Sequence, residues 1–186
     1  MLKYIEQVIF EGYREKTSTA GCLLKESNPE AKCKKAKLAY TGEILAYKFD
    51  KKVTRNKKSI KDLFPMLNDL PNLKKMCDFI VFYERNNKLF VILCNLKSNN
   101  ADSSSQQMKV GELLAEFIVG MTKRLFADQD PKINEVEICV KPVLYSATPL
   151  RTKYTTNTKD MNNMGVKNYI SNECTCDICD LDTFCH

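Results

Sequence analysis

The chain has 186 residues, 44% of them hydrophobic and 28% charged, the make-up of one mid-sized globular domain. That composition excludes collagen-like, coiled-coil and wholly disordered chains. No apolar run approaches the ~18 residues of a membrane span, and Met1-Leu2-Lys3-Tyr4-Ile5-Glu6 lacks the charge-then-apolar order of a secretory signal. A cytoplasmic protein with no membrane partner is expected. The net charge of +6 is concentrated, because residues 31–75 hold thirteen Lys and Arg against four Asp and Glu, a surplus of nine that leaves −3 for the rest.

Leu2, Ile5 and Ile9 fall on one side of a helix, with Val8 and Tyr13 at its edge, so residues 2–13 read as a short amphipathic helix. Residues 17–29 read as loop, and residues 38–49 fit helix and strand equally. Ile60, Leu63, Phe64 and Leu67 recur at i, i+3, i+4 and i+7 before Pro71, which predicts a second short helix. Residues 79–83 and 89–94 are apolar runs on either side of Glu84-Arg85-Asn86-Asn87-Lys88, a β-hairpin pattern. Their near-continuous apolarity predicts a sheet buried on both faces, with helices covering at least one. Val110, Leu113, Leu114, Phe117, Ile118, Met121 and Leu125 then make a 3.6-period stripe that predicts a helix over 107–126. Residues 136–140 and 143–146 read as further strand. The order points to an α/β or α+β sandwich: one domain over 1–172 and a cysteine-rich tail over 173–186.

Lys51, Lys52, Arg55, Lys57 and Lys58 in the basic block are candidate phosphate contacts, binding nucleic acid through counterion release. Arg151 and Lys153, with Thr155 and Thr156, are further candidates. A solvated lysine-rich surface has the same composition, and no helix-turn-helix or zinc-finger spacing in the block names a docking mode.

The hairpin carries the most specific constellation. Asp78 stands at the start of its first strand and Asn95-Leu96-Lys97 closes its second, so these ends converge, with Asn95 and Lys97 on one face by alternation. A carboxylate beside a lysine suits metal-assisted phosphodiester cleavage: the acid holds the ion and the amine orients or deprotonates the attacking water. The run from Cys77-Asp78-Phe79 to Glu84, the turn, and Leu89 to Asn95-Leu96-Lys97-Ser98 resembles the core of the PD-(D/E)XK nucleases, the restriction-endonuclease-like superfamily. The resemblance covers about residues 60–126 well. It implies an α/β fold with a central mixed sheet, a β-hairpin core and flanking helices. It further implies Asp78 as a Mg²⁺ or Mn²⁺ ligand, Lys97 as the catalytic lysine, and Gln107 on the following helix as an accessory contact to metal-bound water or phosphate.

Asn95 stands where that family has Asp or Glu. Either an acid migrates in from elsewhere, with Asp102 and Glu43 as candidates, or Asn95 is a weaker ligand, or the fold is kept for binding alone; a substituted native acid is the fourth alternative. Glu112 and Glu116 fall on the solvent side of the predicted helix, whereas Gln107 falls on the flank of its buried face.

Four of nine cysteines lie in the last thirteen residues. Cys176 and Cys179 have C-x-x-C spacing, and Cys174, Cys185 or His186 would complete a Zn²⁺ site; the alternatives are unligated thiols or an iron–sulfur cluster, for which the resemblance implies Cys22 or Cys33 as the upstream ligand. Cys77 and Cys94 read as small core residues. His186 is the sole histidine, which excludes Cys/His and Ser/His/Asp catalysis, and no phosphate-cradling or dinucleotide-binding glycine motif occurs. The resemblance implies a metal-dependent nuclease acting on DNA, in microbial or phage-related defence. The alternative is a catalytically inactive nuclease-fold protein that binds nucleic acid or assembles with a second copy or a protein partner.

Overall fold

A computed structural model describes residues 1–18, 21–26, 30–31, 33–60, 63–64, 66–68, 70, 73–97, 104–146, 167–170 and 175–181; for 97, 146, 167–170 and 175–180 it describes the backbone alone. The polar interruption of the hairpin condenses to a two-residue turn. Asn86 and Asn87 have φ of 50° and 59°, the left-handed pair a type I′ turn requires and asparagine tolerates. This turn joins β7 (Phe79–Arg85) to β8 (Lys88–Lys97), with Phe79 opposite Cys94. β4 (Ile44–Tyr47) lies antiparallel outside β7, β9 (Glu137–Ser146) runs parallel along β8, and β10 (Lys167–Ile170) runs parallel beyond β9. The result is a mixed sheet of order β10-β9-β8-β7-β4. β9 is continuous through Pro142, which lies just before the stretch that β10 pairs, an edge position where a missing N–H costs least.

Alternation along β8 divides the core in two. Leu89, Val91 and Leu93 join the cluster under α1 (Leu2–Val8) and α2 (Ser104–Phe126), while Phe90, Ile92, Cys94 and Leu96 join the cluster on the other face. Among the described residues, helices therefore cover one face only. The other is covered by a second sheet of β1 (Thr17–Ser18), β2 (Gly21–Lys25), β3 (Lys35–Ala39) and β11 (Thr175–Asp180), which contributes Cys22, Leu24, Ala36 and Leu38. β5 (Val53–Arg55) and β6 (Lys58–Ile60) form a separate two-stranded hairpin. Among the described residues, no helix is long and apolar enough to cross a membrane.

Four expectations change. Residues 17–29 contain β1 and β2; with only Cys22 and Leu24 pointing inward, the alternation is too short to read as a strand. The ambiguous segment 38–49 is strand on either side of a bend. No helix forms around 60–67 among the described residues: Ile60 closes β6, and Leu63 and Phe64 pack half-buried on the core from an irregular chain. The N-terminal helix stops at Val8, followed by a 3₁₀ turn at Glu11–Tyr13.

The fifth difference concerns the rotation of α2. Met108, Gly111, Ala115, Ile118, Val119 and Thr122 face the sheet, leaving Leu113 and Phe117 65% and 64% exposed. Gly111 sets that rotation, because a Cβ there would run into Cys77 Sγ. Small residues let the helix sit close to the sheet and displace larger apolar ones outward.

Candidate functional site

Extending the β7–β8 register by one residue places Asp78 opposite Asn95. The Asp78 backbone N–H donates to Asn95 Oδ1 at 3.1 Å, and Asp78 Oδ2 accepts from the Leu96 N–H at 2.6 Å. Asn95 Nδ2 lies 3.5 Å from the Ser104 carbonyl in the first turn of α2, and the Cys77 N–H donates to the Gln107 carbonyl at 3.0 Å. Asp78, Asn95 and Gln107 are thus gathered where β7 begins and α2 starts, and the backbone of Lys97 ends β8 beside them. The Lys97 side chain lies outside the described residues.

Asn95 is fully buried, Asp78 and Gln107 half-buried. A primary amide suits position 95 because it accepts from a backbone N–H and donates toward a carbonyl at once. A carboxylate there would lose the donor, meet the Ser104 oxygen with charge and lie beside a second carboxylate without water.

Among the described residues the donor set comprises one carboxylate, Asp78, and the Asn95 amide oxygen. Mg²⁺ takes hard oxygens in near-octahedral array, normally including carboxylates. Here Asn95 Oδ1 and Asp78 Oδ2 both receive backbone N–H groups. Among the described residues, no three His, Cys, Asp or Glu are grouped to hold a metal. Glu43 precedes β4, whose first residue pairs with Tyr83, so it stands level with Glu84 at the opposite end of the sheet, about 20 Å from Asp78 at 3.4 Å per residue. It is no substitute acid. Glu112 is half-buried and Glu116 exposed, and Asp102 lies outside the described residues.

The basic block divides three ways. β4 ends at the Asp78 end of the sheet, where Tyr47 pairs with Ile80, so residues 48–60 leave from that end. Lys48 is only 5% exposed; its Nζ donates to the Lys25 carbonyl at 3.2 Å and stands 5.2 Å from the Phe79 ring centre, tying the two sheets together. Burial raises the Asp50 carboxyl above its ordinary pKa, an effect the nearby Lys48 opposes. Lys51 is half-buried, its Nζ bound to Glu15 at 2.7 Å and to the Arg14 carbonyl at 3.0 Å. Lys52, Lys57 and Lys58 by contrast are exposed, and Arg55, also exposed, has its guanidinium over the Phe10 ring at 5.2 Å. Arg151 and Lys153 lie outside the described residues.

The backbone of Cys176 and Cys179 belongs to β11, opposite Ala36 and Leu38 with a register break between them. Their side chains, together with Cys174, Cys185 and His186, are outside the described residues. Cys22 and Cys33 are buried in the second sheet's core, and burial pushes the Cys22 thiol up to about 12, which disfavours a thiolate. Cys77 and Cys94 fill opposite clusters of the core.

Sequence reasoning missed the inter-sheet role of Lys48 and a cleft of about 730 Å³ lined by residues that include Glu6, Glu11, Arg14, Glu15 and Tyr47. Its charges are largely satisfied within the fold, Arg14 by Glu6 and Glu15 by Lys51. No periodic signal could have revealed either feature. No protein-family model, no curated protein and no solved structure matches the chain.

Proposed function

We propose that the protein binds nucleic acid, DNA in particular, at the Asp78 end of its central sheet, as a binding or assembly subunit that does not cut. The observation that carries this reading is Asn95, fully buried with both ends of its amide directed into the fold. Where a nuclease of the PD-(D/E)XK kind needs a second acid, this chain has a structural clamp. The cations that leave the same end supply the electrostatic surface that phosphate binding requires. Fluorescence anisotropy with labelled DNA and RNA should show binding that falls steeply as salt rises. No binding at low salt would end this reading.

Metal-dependent cleavage is the second reading, favoured by Asp78 and Lys97 sharing one sheet end. Incubating supercoiled, linear and single-stranded DNA and RNA with Mg²⁺ or Mn²⁺ separates the two. Cleavage that Lys97→Ala abolishes in a folded protein would replace binding with catalysis. Intact substrate under all conditions is the result expected here.

A further inference from the structure

We propose that the β5–β6 hairpin enters the major groove of B-form DNA, which makes double-stranded DNA the ligand. The inference rests on the reading that the Asp78 end binds nucleic acid, and it deepens that reading by naming the form bound and the element that meets it.

The hairpin is a sheet of its own, with Val53 opposite Ile60, Thr54 opposite Ser59 and Arg55 opposite Lys58. Val53 and Ile60 anchor its base in the helix-side core, Val53 being 6% exposed. Every residue from Thr54 to Ser59 is exposed. Six consecutive exposed residues in regular strand-turn-strand geometry make an open ribbon, seated at Arg55 over the Phe10 ring and free of described contacts toward its tip. Two residues of strand and a turn beyond the anchor reach about 10 Å at ~3.4 Å per residue. The major groove is roughly 8.5 Å deep and 12 Å wide and admits a two-stranded ribbon, whereas the minor groove, about 6 Å wide, does not. The major groove of A-form RNA is too narrow and deep for side chains to read.

The chemistry of the ribbon matches that groove. It carries Arg55, Lys57 and Lys58 and no acid. Neither Lys57 nor Lys58 has an acidic partner among the described residues. By alternation Arg55 and Lys58 share the face of Val53 and Ile60, with Arg55 over the Phe10 ring, while the Thr54 and Ser59 hydroxyls share the other, and Asn56 and Lys57 stand at the tip. Arginine and asparagine are the side chains that pair two-pronged with guanine and adenine edges, and lysine neutralises phosphate.

The tip also carries a conformational cost. Asn56 and Lys57 have φ of 50° and 63°, and lysine, unlike glycine or asparagine, is disfavoured in that region. A residue that weakens its own turn while placing a cation at the apex fits selection for a contact.

The test follows from that conflict. Anisotropy titrations would use a short DNA duplex, the same sequence as RNA duplex, and single-stranded DNA, each at low and near-physiological salt. Wild-type protein is expected to favour duplex DNA by about 10-fold or more. Lys57→Gly relieves the turn, so its thermal midpoint should hold or rise while duplex affinity falls, by about 5-fold. Adding Arg55→Gln and Lys58→Gln should lower affinity by roughly 100-fold and reduce the slope of log K against log salt by about 2 to 3. Methyl green, a major-groove ligand, should compete, and netropsin, a minor-groove ligand, should not. Equal affinity for RNA duplex or single strands, displacement by netropsin alone, or a triple variant that binds as wild type would overturn groove insertion and leave nucleic-acid binding standing. Absence of binding to all three probes would overturn both.

Discussion

The two ends of the central sheet are built from the same strands, yet one balances charge against charge while the other buries a neutral amide and leaves its cations exposed. At the Asn86–Asn87 end the Met1 amino group pairs with Glu84 at 3.0 Å, the Leu2 N–H donates to the same carboxylate, and Lys88 pairs with Glu137 at 2.9 Å. At the Asp78 end the Asn95 amide links β7, β8 and α2, and Lys52, Arg55, Lys57 and Lys58 are exposed. Exposed ion pairs contribute little each, because water screens them and long side chains lose entropy in forming them. A buried hydrogen-bonded group matters more, because losing it strands partners where water cannot reach. The turn end should therefore tolerate substitution and the Asp78 end should not.

The largest expected effect is at Asn95. Replacing it with alanine leaves the Asp78 N–H without its acceptor, removes a second contact to the Ser104 carbonyl and opens a small void, so urea unfolding should show a loss of about 3 kcal/mol. Asn95→Asp should cost a similar amount at neutral pH, since it loses the donor and sets a carboxylate beside Asp78. A loss under about 1 kcal/mol in both would show that the amide is not a clamp.

Next in size is Gly111. Alanine usually stabilises a helix relative to glycine, but here its Cβ meets Cys77 Sγ, so Gly111→Ala should destabilise by about 1 to 3 kcal/mol. Most of that loss should disappear in the Cys77→Ala background, and a double-mutant cycle measures it. Additive losses would mean that helix and Cys77 do not touch.

Smaller still is Glu84→Gln, which removes an ion pair and weakens one hydrogen bond at the turn end. A loss of about 0.5 to 1 kcal/mol in urea unfolding is expected. A loss as large as that of Asn95→Ala would erase the contrast between the ends. Lys88→Gln should leave the midpoint unchanged within error, since that pair is open to solvent; a clear shift would show that surface pairing matters more here than the geometry implies.

The hairpin was legible because every signal for it is local: two apolar runs and a turn of asparagines that accept positive φ. The convergence of Asp78 with the 95–97 segment followed, because the two strands of a hairpin end side by side, whereas the two-residue turn that sets Asp78 opposite Asn95 is seen only in the structure. The existence of α2 was legible too, though its rotation was not. Periodicity identified a helix from Leu113, Phe117 and Leu125, yet Gly111 and Ala115 decided which face approaches the sheet, through closeness to Cys77, a residue thirty-four positions earlier. The second sheet escaped notice because β2 and β3 each offer only two inward side chains, and they gain meaning when opposed to the apolar face of β7 and β8.

By itself the sequence determined what neighbours along the chain can settle: the hairpin, the long helix, the uneven charge and the convergence of Asp78 with the 95–97 segment. Tertiary structure alone decided what each charged or polar group does there. Lys48, Lys51 and Lys57 are indistinguishable in composition, yet one is buried between sheets, one is held by Glu15 and one projects from a turn. The physical reason is that a lysine's role depends on the dielectric and the partners around its amine, and both come from segments distant in sequence. Asn95 is the same case in neutral form: its letter suggests a weakened ligand, and the backbone groups of Asp78 and Ser104 make it a clamp.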